Sequence, residues 1–206
     1  MQKPILGYWD IRGLAQAIRY QLAYQGIDFE DKQYPSTEDP ASRQSWLEQK
    51  FNLGLDFPNL PYFIDTDGYK LTEHMAIHQY IADKWNPELL GTTPEERAEV
   101  EMLAGVILDL KKKTAGPCYS NDDRAAVQEI MLNAIAGFKH PIGERNYLIG
   151  DRVCYMDFYL LELLLACDYF TDGQVFAQNP HFQAYVERMW ALPNLGNYLN
   201  SSSNMS

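Results

Sequence analysis

The chain has 206 residues, 46% of them hydrophobic, which is ample for a packed core in one large domain or two small ones. Its formal charge of -11 and pI near 4.7 argue against a nucleic acid or an anionic membrane as partner, because both require basic patches. No 18-residue apolar run occurs, and MQKPILGYWDIRGL lacks the basic start and apolar stretch of a secretory signal, so a cytoplasmic protein is expected.

Lys3 to Tyr8 and Asp28 to Tyr34 read as strands around a helical stretch from Leu14 to Tyr24, a β-α-β unit whose parallel strands need such a crossover. A loop with Pro35 and Pro40 follows, then a short helix around Ser42 to Lys50. The run Tyr62 to Ile64, the turn Asp65 to Gly68 and the run Tyr69 to Leu71 form a hairpin. Thr72 is placed to cap a helix from Glu73 to Lys84. Trp85 to Thr92, with Pro87 and Gly91, reads as a linker, after which strand signals stop.

Thr93, Pro94 and Glu96 supply a cap, a proline at the first helical position and a capping-box glutamate. Val100, Leu103, Ala104, Ile107 and Leu108 then recur on one helical face. Further helices fit Asp122 to Lys139, Met156 to Tyr169 and Pro180 to Trp190, followed by a polar, serine-rich tail. Cys118, Cys154 and Cys167 make no C-x-x-C pair and lie at no zinc spacing, so all three are expected to be reduced and no metal is implied.

The strings PILGYWDIRGLAQ, WLEQKFNLGLDFPNLPYFID, MAIHQYIADK and PEERAEVEMLAGVILD resemble the corresponding segments of mu-class glutathione transferases, and the similarity continues more thinly in GDRVCYMDFYLLELL. The resemblance implies a thioredoxin-like α/β domain at residues 1–84, a linker at 85–92 and an all-α domain at 93–206 that carries the electrophile site. It implies an enzyme that turns the thiol of glutathione into a thiolate and adds it to hydrophobic electrophiles, as a homodimer, with glutathione as co-substrate and no cofactor. A rival is a non-catalytic relative that binds hydrophobic ligands or serves structurally. A disulfide oxidoreductase of thioredoxin type is disfavoured, because Tyr8 stands where a reactive cysteine would be needed.

By this resemblance Tyr8 is the catalytic tyrosine, donating a hydrogen bond to the glutathione sulfur. Trp9 and Leu14 flank the bound tripeptide. Asn59, Leu60 and Pro61 match a turn in which a cis proline presents backbone to its cysteinyl part, and Arg43, Trp46 and Lys50 match positions near its glycyl carboxylate. Asp109 resembles a carboxylate that reaches the γ-glutamyl ammonium bound in the neighbouring subunit. Tyr119 falls at the electrophile site, and Phe57 matches an aromatic key inserted into the other subunit. Glu73 and His74 depart from the usual Gln and Ser at the γ-glutamyl end, Gln79 stands where an interface arginine is common, and Cys154 stands where Ser or Thr caps a helix.

Overall fold

Strand β1 (Ile5–Trp9) is central in a four-stranded sheet of order β2-β1-β3-β4, with β2 (Glu30–Tyr34) parallel to it and β3 (Tyr62–Ile64) and β4 (Lys70–Thr72) antiparallel. The computed structural model describes residues 2–36, 40–120, 123–138, 140 and 142–199. Helix α1 (Gln16–Tyr24) is the crossover between β1 and β2, and a 3-10 turn at Pro40–Arg43 leads into α2 (Gln44–Gln49). Helix α3 (His74–Trp85) follows the hairpin. Contacts divide the chain into two compact units, one running to Asn86 and taking in the segment from Pro193, the other Pro87–Leu192.

The first unit packs the sheet against α1 and α3 through Leu6, Ile18, Leu22, Phe63, Ile77 and Ile81. Gly7 has a particular reason to be glycine: a Cβ there would lie 2.1 Å from Cζ of Tyr62, whose ring occupies that space. Helix α1 is covered all round from Gln16 to Leu22, so its polar side chains must find partners inside. Gln21 donates to the carbonyl of His78 at 3.0 Å and accepts from its Nδ1 at 2.5 Å. Burial, reinforced by the nearby charge of His74, pushes the His78 imidazole down to about 3 and keeps it neutral. Arg19, with none of its surface exposed, pairs with Asp31 of β2 at 3.1 Å.

The hairpin is pinned to α3 by Asp65, which accepts hydrogen bonds from Tyr80 at 2.5 Å and from Lys84. Burial alone would raise its carboxyl; the bonds from Lys84, Tyr80 and the Thr66 N–H overcome that and hold it below its ordinary value. Thr72 does not cap α3. It is the last residue of β4, paired with Tyr62, and its hydroxyl donates to the Phe57 carbonyl at 2.9 Å, so Glu73 stands at the N-cap instead.

Every named element after β4 is helical: a 3-10 turn at Pro87–Leu90, then α4 (Pro94–Ser120), α5 (Arg124–Ala136), α6 (Tyr155–Phe170), α7 (Gln174–Gln178), α8 (Pro180–Trp190) and α9 (Pro193–Leu199). Val100, Leu103, Ala104 and Ile107 are buried as their spacing requires. Thr93 accepts the Glu96 N–H at 3.2 Å, but the Glu96 carboxylate reaches back to Thr92 rather than Thr93 and also meets Arg152. Cys154 stands at the N-cap of α6, where Asp157 accepts its N–H at 2.7 Å, that of Leu148 at 3.0 Å and the Tyr185 hydroxyl at 2.8 Å.

Asp122, Lys139 and the tail from Asn200 lie outside the described residues, so the helix expected over Asp122 to Lys139 is described as α5 alone. Helices α7 and α9 carry no signal strong enough to be read from the sequence. α9 packs on α1, with Asn194 donating to the Tyr24 carbonyl at 3.2 Å, and this groups it with the first unit. Among the described residues no helix is long and apolar enough to cross a membrane.

Candidate functional site

One rim of the sheet collects the ends of all four strands. Because β2 is parallel to β1, Trp9 lies beside Tyr34; because β3 is antiparallel, Gly7 lies beside Tyr62. Continuing these registers by one residue sets Tyr8 opposite Pro61, with Glu73 beyond Pro61 from the pair Tyr62 and Thr72. The Leu60–Pro61 bond is cis, and Leu60 is buried beneath this rim. A helix starts here as well: α3 begins at His74, and its first N–H groups have no partner within the helix.

Tyr8 is 7% exposed, and its hydroxyl oxygen accepts the backbone N–H of Leu14 at 3.2 Å. The loop between β1 and α1 wraps closely round this hydroxyl. Gly13 adopts φ +46, and a Cβ there would lie 2.6 Å from the Tyr8 oxygen. Arg19 donates to the Ile11 carbonyl at 3.1 Å, and the Arg12 carbonyl accepts the Gln16 N–H at 3.0 Å. Gly13 and Arg19 were not singled out by the sequence reading. Gly13 is the punctuating glycine between a strand and a helix, and Arg19 is a charge inside an otherwise covered helix; both signals were available.

Helix α2 and the turn before it bring three of the expected residues to the same rim. Arg43 is exposed, and its guanidinium lies 6.0 Å from the ring centre of the half-buried Trp9. Lys50, at the end of α2, is half-buried with its ammonium 5.4 Å from the Phe51 ring. Trp46 is 4% exposed, meeting Tyr34 edge-on at 5.4 Å and stacking on Tyr62 at 6.0 Å, while the two tyrosine hydroxyls lie 2.9 Å apart. In this structure its indole is an aromatic wedge that fixes α2 to the sheet. Burial, with the Tyr34 hydrogen bond, raises the Tyr62 phenol far above its ordinary value and keeps it protonated.

Glu73 is exposed and has φ 70, a conformation rare for a residue with a side chain. Asn59 donates to its carboxylate at 3.2 Å, so the turn before β3 is tied to the start of α3. Strained residues of this kind cluster at ligand clamps. His74, half-buried, is the first residue of α3 and lies one turn before His78. Tyr8, Trp9, Leu14, Arg43, Trp46, Lys50, Asn59, Leu60, Pro61, Glu73 and His74 therefore share one compact unit and one sheet rim or the segments adjoining it.

Asp109 belongs to the other unit, exposed on α4 with Lys112 at 3.5 Å. Tyr119 lies in the last turn of α4, and its side chain is outside the described residues. Phe57 is 78% exposed in the loop before β3, an orientation open to another surface. Cys118, Cys154 and Cys167 are free, and burial raises the thiols of all three, that of Cys167 to about 12. None is therefore poised as a thiolate.

The rim fits a charged peptide-like ligand, with cations at and beside α2, the N-terminal turn of α3 and the Tyr8 phenol. Residues 4–83 match the glutathione S-transferase N-terminal domain family, and residues 108–202 match the glutathione S-transferase C-terminal domain family. The chain is 38% identical over 203 residues to a glutathione S-transferase of Dermatophagoides pteronyssinus, covering 97% of this chain and 91% of the relative. It is 39% identical over 202 residues to the class-mu 26 kDa glutathione S-transferase isozyme of Schistosoma japonicum, covering 97% and 89%. The crystal structure of the glutathione S-transferase Blo t 8 superposes with a TM-score of 0.82 at 29% identity over 97% of this chain and 93% of that one. The sheet and the helical unit are thus those of a known fold, and the chain belongs to the glutathione S-transferase family, with class-mu members among its relatives.

Proposed function

We propose that this protein conjugates glutathione to hydrophobic electrophiles, with Tyr8 stabilising the thiolate. A free thiol has a pKa near ~8.5, which leaves about 3% thiolate at pH 7. A hydrogen bond to a charged acceptor is worth roughly 1.5–3 kcal/mol, enough to lower the thiol pKa by about 1–2 units and bring the thiolate to roughly 25–75%. The thiol proton leaves to solvent. The sulfur then attacks the electrophilic carbon, forming the S–C bond while a leaving group such as halide departs with its electron pair.

The observation that carries this reading is the Tyr8 hydroxyl, held at the end of β1 by the Leu14 N–H at 3.2 Å. That N–H satisfies one lone pair and withdraws density from the oxygen, which strengthens the phenol as a donor toward a thiolate. Arg43 and Lys50 supply the positive charge that the glycyl carboxylate needs in a chain of net charge -11. Asn59, Leu60 and Pro61 offer backbone to the cysteinyl part. The first turn of α3, with His74, takes the γ-glutamyl carboxylate, and Glu73 faces its ammonium.

The active species in this reading is a homodimer in which Phe57 anchors the interface and Asp109 completes the glutathione site of the other subunit. Tyr119 lines the electrophile side. Glutathione is consumed as co-substrate and no cofactor is required. The role this reading assigns to the protein is detoxification in the cytoplasm. The test is conjugation of glutathione to a generic aryl halide by the purified protein, with Tyr8→Phe beside it. Wild-type turnover that greatly exceeds that of the variant supports the reading; equal turnover refutes it.

A further inference from the structure

We propose that Arg12 and Tyr20 are positioning residues for Tyr8, and that helix α9 completes their setting through Tyr198. The inference rests on the reading of Tyr8 as the residue that stabilises the glutathione thiolate. The Arg12 guanidinium donates to the Tyr20 hydroxyl at 2.6 Å. Tyr20 has none of its surface exposed, and its ring meets that of Tyr198 edge-on, centres 6.1 Å apart at 81°. Two residues after Arg12 comes Leu14, whose N–H holds the Tyr8 hydroxyl.

Arg12 is therefore tied at both ends. Its side chain is fastened to the middle of α1, and its carbonyl to the first turn of the same helix through Gln16. Between these ties and Leu14 lies only Gly13, which has no side chain of its own to hold the loop against Tyr8 and whose backbone sits at φ +46. On one side Ile11 is 39% exposed, and Arg19 anchors the loop there through its bond to the Ile11 carbonyl. The charged groups facing this cluster are Arg12 itself, Arg19 on α1 and Asp31 on β2, all of which act on the Tyr198 phenol. Arg19 and Asp31 are already paired with each other at 3.1 Å.

If the Arg12 tie is lost, the loop relaxes and the Leu14 N–H weakens its hold on the Tyr8 oxygen. The effect on the sulfur passes through Tyr8, and the α2 and α3 ends of the glutathione site lie on other segments. A neutral hydrogen bond contributes enough to move the bound thiol pKa by about 0.4–1 unit. A purely structural role would lower the melting temperature without moving that pKa.

The test follows kcat/KM for an aryl halide at saturating glutathione against pH, together with KM for glutathione and Tm, in wild type, Tyr20→Phe, Arg12→Met, Arg12→Lys and Tyr198→Ala. Tyr20→Phe keeps the ring against Tyr198 and removes the hydroxyl that accepts from Arg12. The expected result is a thiol pKa raised by about 0.4–1 unit in Tyr20→Phe and Arg12→Met, with rates about 2–10-fold lower below it and KM for glutathione within about twofold. Arg12→Lys should recover part of the shift, and Tyr198→Ala should move the pKa in the same direction. Should Tyr20→Phe fail to fold, the pair Arg12→Met and Arg12→Lys decides. A wild-type pKa in Arg12→Met, or a rate loss with lowered Tm and no pKa shift, overturns the inference. Tyr8→Phe separates the two levels: no shift there removes the functional reading and this inference together, whereas a shift there with none in Arg12→Met overturns this inference alone.

Discussion

Gly13→Ala probes the packing of the loop on Tyr8 with the smallest possible change. The added methyl carbon would sit 2.6 Å from the Tyr8 hydroxyl oxygen, 2.7 Å from Cε1 and 3.1 Å from Cζ, so either the ring or the loop must move by several tenths of an ångström. The backbone adds its own cost, since a residue with a Cβ at φ +46 is destabilised by roughly 1–2 kcal/mol. For a chain of this size that corresponds to a Tm lower by about 2–8 °C. The catalytic cost is the larger one, because displacing a reacting group by up to ~1 Å lowers rates by up to about 100-fold. Thermal unfolding and aryl halide conjugation, measured on the same preparation, separate the two. A Gly13→Ala protein with wild-type turnover and an unaltered thiol pKa would show that the loop does not set the position of the Tyr8 hydroxyl.

Three further outcomes are expected. His78 is held neutral, with its imidazole down at about 3 against an unfolded value of 6.5, so the unfolded chain gains a proton that the folded chain refuses as pH falls through that window. Wild type should lose about 2 kcal/mol more than His78→Gln between pH 7 and pH 5 in chemical denaturation, and parallel profiles would contradict this. The comparison with the variant is needed because burial pushes the Asp157 carboxyl up to about 6, which contributes with the opposite sign over the same range. Glutathione affinity should fall modestly as pH rises through the histidine range, and His74→Ser should flatten that dependence; equal, pH-independent affinities from 5.5 to 8 would show that His74 does not face the ligand. Phe57→Ala should weaken self-association by at least about 30-fold in sedimentation, and a wild-type association constant would remove Phe57 from the interface.

The alternating units of the first domain were legible because each is a local pattern: an apolar strand, a covered helix, a hairpin turn with Gly68. What escaped the sequence depends on distant residues meeting. Gly7 looks like a weak point in a strand until Tyr62 is seen lying over it, and the packing of Trp46 on Tyr34 and Tyr62 cannot be read from the spacing of the three residues. Thr72 has the composition of a cap, but pairing with Tyr62 extends β4 through it and moves the helix start to Glu73. Helices α7 and α9 are five and seven residues long, too short for an apolar period to show, and α9 is held by contacts to α1 some 170 positions earlier. The chemistry of Tyr8 was legible only through the resemblance, since nothing local to a tyrosine announces the Leu14 N–H behind it.

The central measurement is the pH dependence of aryl halide conjugation at saturating glutathione for wild type and Tyr8→Phe. Removing the hydroxyl loses ~1.4–3 kcal/mol of thiolate stabilisation, so the variant should turn over about 10–100-fold more slowly at neutral pH, with the bound thiol pKa raised by about 1–2 units and glutathione affinity little changed. Equal turnover and an equal thiol pKa in the two proteins would contradict the assignment of Tyr8 as the residue that activates glutathione.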